Sequence, residues 1–127
     1  MYRTYIAVGV IILLLGAGGF WHSNYIQKSA DSLVQRIDRV EELILLDKWD
    51  DGRQEMLQIE EEWKNTKKWW SVLLHHQEIE SIDITLKRAE KFVVGKNSLH
   101  GIGELSALRL LFEHISDTEI LSLQNIL

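Results

Sequence analysis

The sequence contains no cysteine and no proline among its 127 residues. Without cysteine there are no disulfides, no thiolate metal sites and no cysteine nucleophile. Without proline the chain lacks its commonest helix breaker and turn former, so an all-helical architecture leads. Positive charge is scarce as well: 14 basic against 19 acidic side chains leave a net charge of −5, which argues against a nucleic-acid binder. The length has room for one ordinary domain. A hydrophobic share of 46% and a mean hydropathy of −0.09 look ordinary for a soluble domain, but both are averages over two unlike pieces.

Charge is missing altogether from the 18 residues Thr4 to Trp21. At 1.5 Å per residue a helix of that length spans about 27 Å, close to the roughly 30 Å of bilayer hydrocarbon. Tyr2 and Tyr5 at one end, and Phe20, Trp21 and Tyr25 at the other, supply the aromatic residues that settle at headgroup level. The rival reading is a cleaved signal peptide, with Arg3 as its basic region, Ile6 to Leu15 as its apolar core and Gly16-Ala17-Gly18 as its cleavage site. Against it, apolar character resumes at Phe20 and Trp21, and the basic region holds one side chain. Residues 1–22 are therefore read as a transmembrane anchor in a cell membrane. Arg3 and the terminal amine favour a cytoplasmic amino end and an extracytoplasmic body, although Lys28, Arg36 and Arg39 dilute that signal.

The remaining piece, residues 23–127, is acidic, and its apolar residues recur at helical spacing. Leu33, Ile37, Val40 and Ile44 form one stripe, on a helix from about Ser29 to Asp47. Trp49, Gly52, Met56, Ile59, Trp63, Thr66, Trp70 and Leu73 form a second, with Glu60 and Lys64 as a solvent-side i,i+4 pair. Ile79, Ile82, Leu86, Ala89 and Val93 form a third, closed by Gly95-Lys96-Asn97 as a glycine C-cap. Leu99, Ile102, Leu105, Leu108, Phe112 and Ile115 form a fourth. The break between the second and third helices is placed at His75-His76-Gln77-Glu78, with Asn65 as the alternative. Ser116-Asp-Thr-Glu119 has the pattern of a capping box that opens a short terminal helix or strap over Ile120, Leu121, Leu123 and Ile126. The expected fold is all-α: an N-terminal transmembrane helix followed by an antiparallel three- to four-helix bundle with a short C-terminal tail.

Motifs for chemistry are thin. His75 and Glu78 share a helix face and could supply two metal ligands, with His76 beside them and His114 within reach only through the fold. No Glu-x-x-His and no His-Glu-x-x-His occurs, which removes di-iron bundle and zincin chemistry. The plainer reading of these histidines is a pair that bonds backbone or carboxylates at an interhelical turn. Ser71, Ser81, Ser98 and Ser106 lack a nucleophile-elbow context, and the glycines of Gly16-Ala-Gly-Gly19 and Gly101-Ile-Gly103 lack a phosphate-loop pattern. Trp69 and Trp70 differ by about 100° on a helix, so both cannot face one core. One of them is expected to be partly exposed or to pack against another helix, and burial between helices is the plainer reading; an exposed Trp beside Lys67 and Lys68 would suit the membrane interface or a protein contact.

At Trp49, Trp63, Trp70, His76, Glu78, Ile79 and the ending Asn125-Ile126-Leu127 the chain resembles domain-of-unknown-function family 4363, small single-span helical membrane proteins of bacteria. The resemblance implies an N-terminal anchor with a helical body, and brings no activity, cofactor or catalytic residue. Gly52 stands where that family leads one to expect Ala. The expected function is thus non-enzymatic, without cofactor or nucleic acid: a membrane-anchored protein that binds a membrane or envelope protein. The alternative is a small-molecule or metal-sensing domain using His75, His76 and Glu78.

Overall fold

The computed structural model describes residues 1–126, with side chains for all of these except Ser23 and residues 119–126. Four helices follow one another: α1 (Tyr2–Leu45), α2 (Trp49–Leu73), α3 (His76–Val94) and α4 (Ser98–Ile126). No strand occurs among the described residues. Each connection is only two or three residues long, so successive helices must run antiparallel. The contacts join α1 to α2, α2 to α3, α3 to α4 and α4 back to α1, which closes an up-down-up-down ring.

The expected break between anchor and first bundle helix does not form. A single α1 of 44 residues, about 66 Å long, runs from the apolar segment into the bundle. Neither proline nor a helix-capping turn interrupts it. Among the described residues, its first half is the one helical stretch long and apolar enough to cross a membrane, and none of that stretch is buried in the protein. From Ile26 onward the pattern changes: Ile26, Ala30, Leu33, Ile37, Val40 and Ile44 are all buried at steps of three or four.

The other helices meet this stripe with most of the residues their spacing selects; Leu73, placed in the second stripe, is instead exposed, because α2 ends there and its last buried core residue is Trp70. Met56, Ile59, Trp63 and Trp70 enter the core from α2, Ile79, Ile82, Leu86, Ala89 and Val93 from α3, and Leu105, Leu108, Phe112 and Ile115 from α4. Trp63, Trp70 and Phe112 meet edge to face, with ring centroids 5.5 to 5.9 Å apart, an arrangement the aromatic quadrupole favours. Leu99, placed in the fourth stripe by its spacing, is instead exposed, because the buried run of α4 starts at Gly101.

Polar side chains stitch every neighbouring pair. Arg36 of α1 pairs with Glu62 and Glu55 of α2, the latter at 3.0 Å, and Ser32 Oγ donates to Glu62 Oε1 at 2.6 Å. Asp83 of α3 accepts from Trp63 Nε1 at 2.8 Å and from Lys67 Nζ at 2.6 Å. Arg88 of α3 meets Glu104 of α4 at 3.2 Å. Arg109 of α4 closes the ring on Asp38 and Glu41 of α1, at 2.6 Å for Glu41.

Three local expectations are corrected. The α3 C-terminus is a Schellman turn whose left-handed residue is Lys96 (φ 55°), not Gly95. Asn97 N donates to Phe92 O and Lys96 N to Val93 O, while Gly95 keeps a right-handed conformation. The α1 C-terminus repeats the motif with Asp47 (φ 59°) at the left-handed position, and Asp47 Oδ1 also accepts from Trp49 Nε1 at 2.7 Å. The capping pattern at Ser116 opens no helix: Ser116 is buried in the middle of α4, and Thr118 Oγ1 donates to the His114 carbonyl one turn back. The tail's apolar residues Ile120, Leu121, Leu123 and Ile126 lie outside the described side chains. Finally, Glu60 does not join Lys64 in a solvent-side pair; it is half-buried and turned toward α3.

Candidate functional site

The four candidate residues collect at one end of the bundle, around the α2–α3 turn. Leu74 and His75 form the turn, and His75 caps α3 through its backbone carbonyl, which accepts from Glu78 N at 3.1 Å. The His75 ring makes no capping bond, and both His75 and His76 are exposed. Glu78 is half-buried and lines an open groove of about 230 Å³ between α3 and α4, together with Gln77, Ser81, Leu111, His114 and Ile115. The fold thus brings Glu78 and His114 to one groove and leaves His75 and His76 outside it. Among the described residues no three His, Asp or Glu side chains converge to hold a metal ion.

The two adjacent tryptophans separate as helical geometry requires. Trp70 is fully buried, whereas Trp69 is 64% exposed. Val72 and Leu73, one turn further along the same face, are 79% and 45% exposed. Three apolar side chains at i, i+3 and i+4 therefore form an uncovered stripe at the end of α2. Of the neighbouring lysines, Lys67 is engaged by Asp83, and Lys68 lies exposed beside Trp69.

A second polar feature lies nearer the opposite end, between α2 and α3, where Arg53, Met56, Leu57, Val93 and Val94 flank Glu60 and Glu90. Burial first, then the hydrogen bond and charge of Glu90, push the Glu60 carboxyl up to about 7, with Lys87 pulling the other way. Glu90 is held below its ordinary value, chiefly by the hydrogen bond from Glu60 and, against the opposing effect of burial, by Lys87 and Lys91. The two carboxyls repel one another's charge, and the buried Glu60 Oε1 lies without a hydrogen-bond partner, so Glu60 is the member that keeps its proton. Sequence reasoning missed this pair because its members lie 30 residues apart. The available signal was the position of Glu60, one turn from both Met56 and Trp63 on the rim of the core stripe.

An open, mixed-charge groove of about 470 Å³ lies beside the α1–α2 turn, lined among others by Arg39, Lys48, Asp51 and Glu55, and a groove of about 260 Å³ with Ser32, Arg36, Arg39 and Glu55 adjoins it. Their opposed charges select no ligand.

A four-helix bundle carried on the continuation of one long apolar helix defines the class of protein. The family model described as a domain of unknown function, DUF4363, matches residues 20–126, and the chain belongs to that family. The match takes in the whole bundle and begins at Phe20, at the edge of the apolar segment. No curated protein and no solved structure matches the chain.

Proposed function

We propose that the protein is a single-pass, non-enzymatic membrane protein of the cell envelope, whose bundle binds another membrane or envelope protein. Its amino end lies in the cytoplasm and its body outside. The observation that carries this reading is the continuity of α1: an exposed apolar helix passes without a joint into the bundle core, so an inserted anchor would hold the body upright at a set height. The far end then presents apolar side chains at both outer turns, with Leu46 58% and Leu99 79% exposed. Such residues suit a protein contact better than isolated solvent exposure. Photo-crosslinkers placed at Leu46 and Leu99 in native membranes should yield a discrete adduct with one other protein, while the same group at Leu110 on the flank should not. Absence of any adduct at both turns would sink the partner reading.

The groove holding Glu78 and His114 favours a second reading, in which the bundle senses a small polar ligand there. A ligand favouring the native state raises the melting temperature. A screen of small polar metabolites and divalent metals that leaves the melting temperature unmoved removes it.

A further inference from the structure

The uncovered stripe Trp69, Val72 and Leu73 has a definite height relative to the anchor. Ser32 bonds Glu62 across the antiparallel α1–α2 pair. Eleven residues on from Glu62 is Leu73, and eleven back from Ser32 is Trp21, the last residue of the uncharged segment. By the same register Trp69 stands level with Tyr25. The end of α2 therefore returns to the plane where the aromatic residues Phe20, Trp21 and Tyr25 mark the passage from lipid to water. Buried packing starts at that plane too, since Ile26 is fully buried and none of the described side chains before it is.

The chemistry of the stripe fits that plane. Trp69 presents an apolar ring with one N–H donor, Val72 and Leu73 are purely apolar, and the exposed Lys68, His75 and His76 surround them with groups that bond phosphate and water. An indole is enriched where one end of it is wet and the other apolar, and long basic side chains reach past it toward headgroups. On the bundle's flank, by contrast, exposed apolar residues such as Ile84 and Leu110 stand singly.

We propose that the α2–α3 turn is a second lipid contact, with Trp69, Val72 and Leu73 seated in the headgroup layer beside the anchor. This rests on the reading of α1 as an inserted anchor. Two contacts on one rigid body prevent the bundle from tilting freely about the point where α1 leaves the membrane, and fix which of its faces looks along the membrane plane.

Because the chain has no cysteine, single labels are clean. The full chain is reconstituted in vesicles of phosphatidylcholine and phosphatidylglycerol, with a nitrobenzoxadiazole label on W69C, V72C, L46C, L99C or L13C. Quenching by phosphatidylcholine carrying a nitroxide high on its acyl chain is then measured, with circular dichroism as the check that each variant is folded. Labels at 69 and 72 should be quenched at least about twofold more than those at 46 and 99, with L13C quenched as an inserted anchor demands. If L13C is quenched while 69 and 72 behave like 46 and 99, the second contact is wrong and the anchor stands. If 69 and 72 are shielded from aqueous iodide but not reached by the lipid nitroxide, a protein or a second copy covers the stripe and the proposal fails. If L13C itself is unquenched, the anchor reading falls and the proposal with it.

Discussion

The two halves of α1 are one helix with two patterns of apolar residues. In the first, Ile12, Leu13 and Leu14 are 63%, 74% and 67% exposed to whatever surrounds the protein, and apolar residues occupy every face. In the second, Leu33 and Ile37 are fully buried while Asp31, Gln35 and Asp38 turn outward. A bilayer asks only that a stretch be long and apolar, whereas a protein core selects one residue in every three or four. The same leucine thus carries different information on either side of Trp21.

Identical truncations in the two halves give the hardest test of that contrast. Leu33→Ala should lower bundle stability by about 2–5 kcal/mol, since it opens a cavity in a closed core, and Leu13→Ala should leave it within about 0.5 kcal/mol. Urea titration of the full chain in detergent micelles, followed by near-ultraviolet circular dichroism of the buried tryptophans, separates them. Equal losses would mean that the first half packs on protein.

Response to pH should sharpen the difference, because the carboxyl pair belongs to the bundle alone. Glu60 is raised in the folded chain from its ordinary 4.5 to about 7, so the native state retains a proton that the unfolded chain releases. The stability it lends is whole below pH 4.5 and is lost as pH rises through 7. Glu60→Gln, which keeps a donor toward Glu90, should flatten that decline and gain about 1 kcal/mol over the parent at pH 8, after allowance for solvent screening. A decline of unchanged steepness in the variant would show that Glu60 is not the group that retains the proton.

Smaller gains are expected where the bundle turns, a feature the anchor does not have. Gly52 sits in the first turns of α2, and a Cβ there would meet Ile44 and Leu43 at 3.8 Å, an ordinary contact. Gly52→Ala should therefore stabilise by about 0.4–1 kcal/mol, and a loss would mean that the α1–α2 contact is tighter than its geometry. Lys96→Gly relieves the left-handed strain at the α3 terminus and should add about 0.5 kcal/mol to the same unfolding free energy. A melting temperature unchanged by Lys96→Gly would indicate that the lysine side chain compensates its own strain.

The helical class, the apolar segment and most of the core were legible because periodicity is a local property. Every member of the α3 stripe is buried, and the break between α2 and α3 falls in the histidine cluster where polar residues interrupt the pattern. Errors gather where local rules compete with packing. Gly95 follows the composition of a C-cap, but the hydrogen bonds put the left-handed turn one residue later. Ser116 to Glu119 has cap chemistry, yet burial of Ile115 and Ser116 against the bundle carries α4 straight through it. The candidate site was legible one helix at a time. The angle between Trp69 and Trp70 meant that they part, but burial of Trp69 between helices was the plainer expectation and its 64% exposure overturns it; that His114 and Glu78 line one groove while His75 and His76 do not depends on α3–α4 register, which no single helix encodes.

The unbroken passage from Trp21 to Ile26 also sets a rotational phase. Each residue of an α-helix advances about 100°, so the faces of the apolar half of α1 stand at fixed bearings to Trp69, Glu78 and the outer leucines of the bundle. One residue added between the two halves would swing the whole bundle by more than a quarter turn relative to the apolar half. Position along the chain becomes direction around the axis of α1.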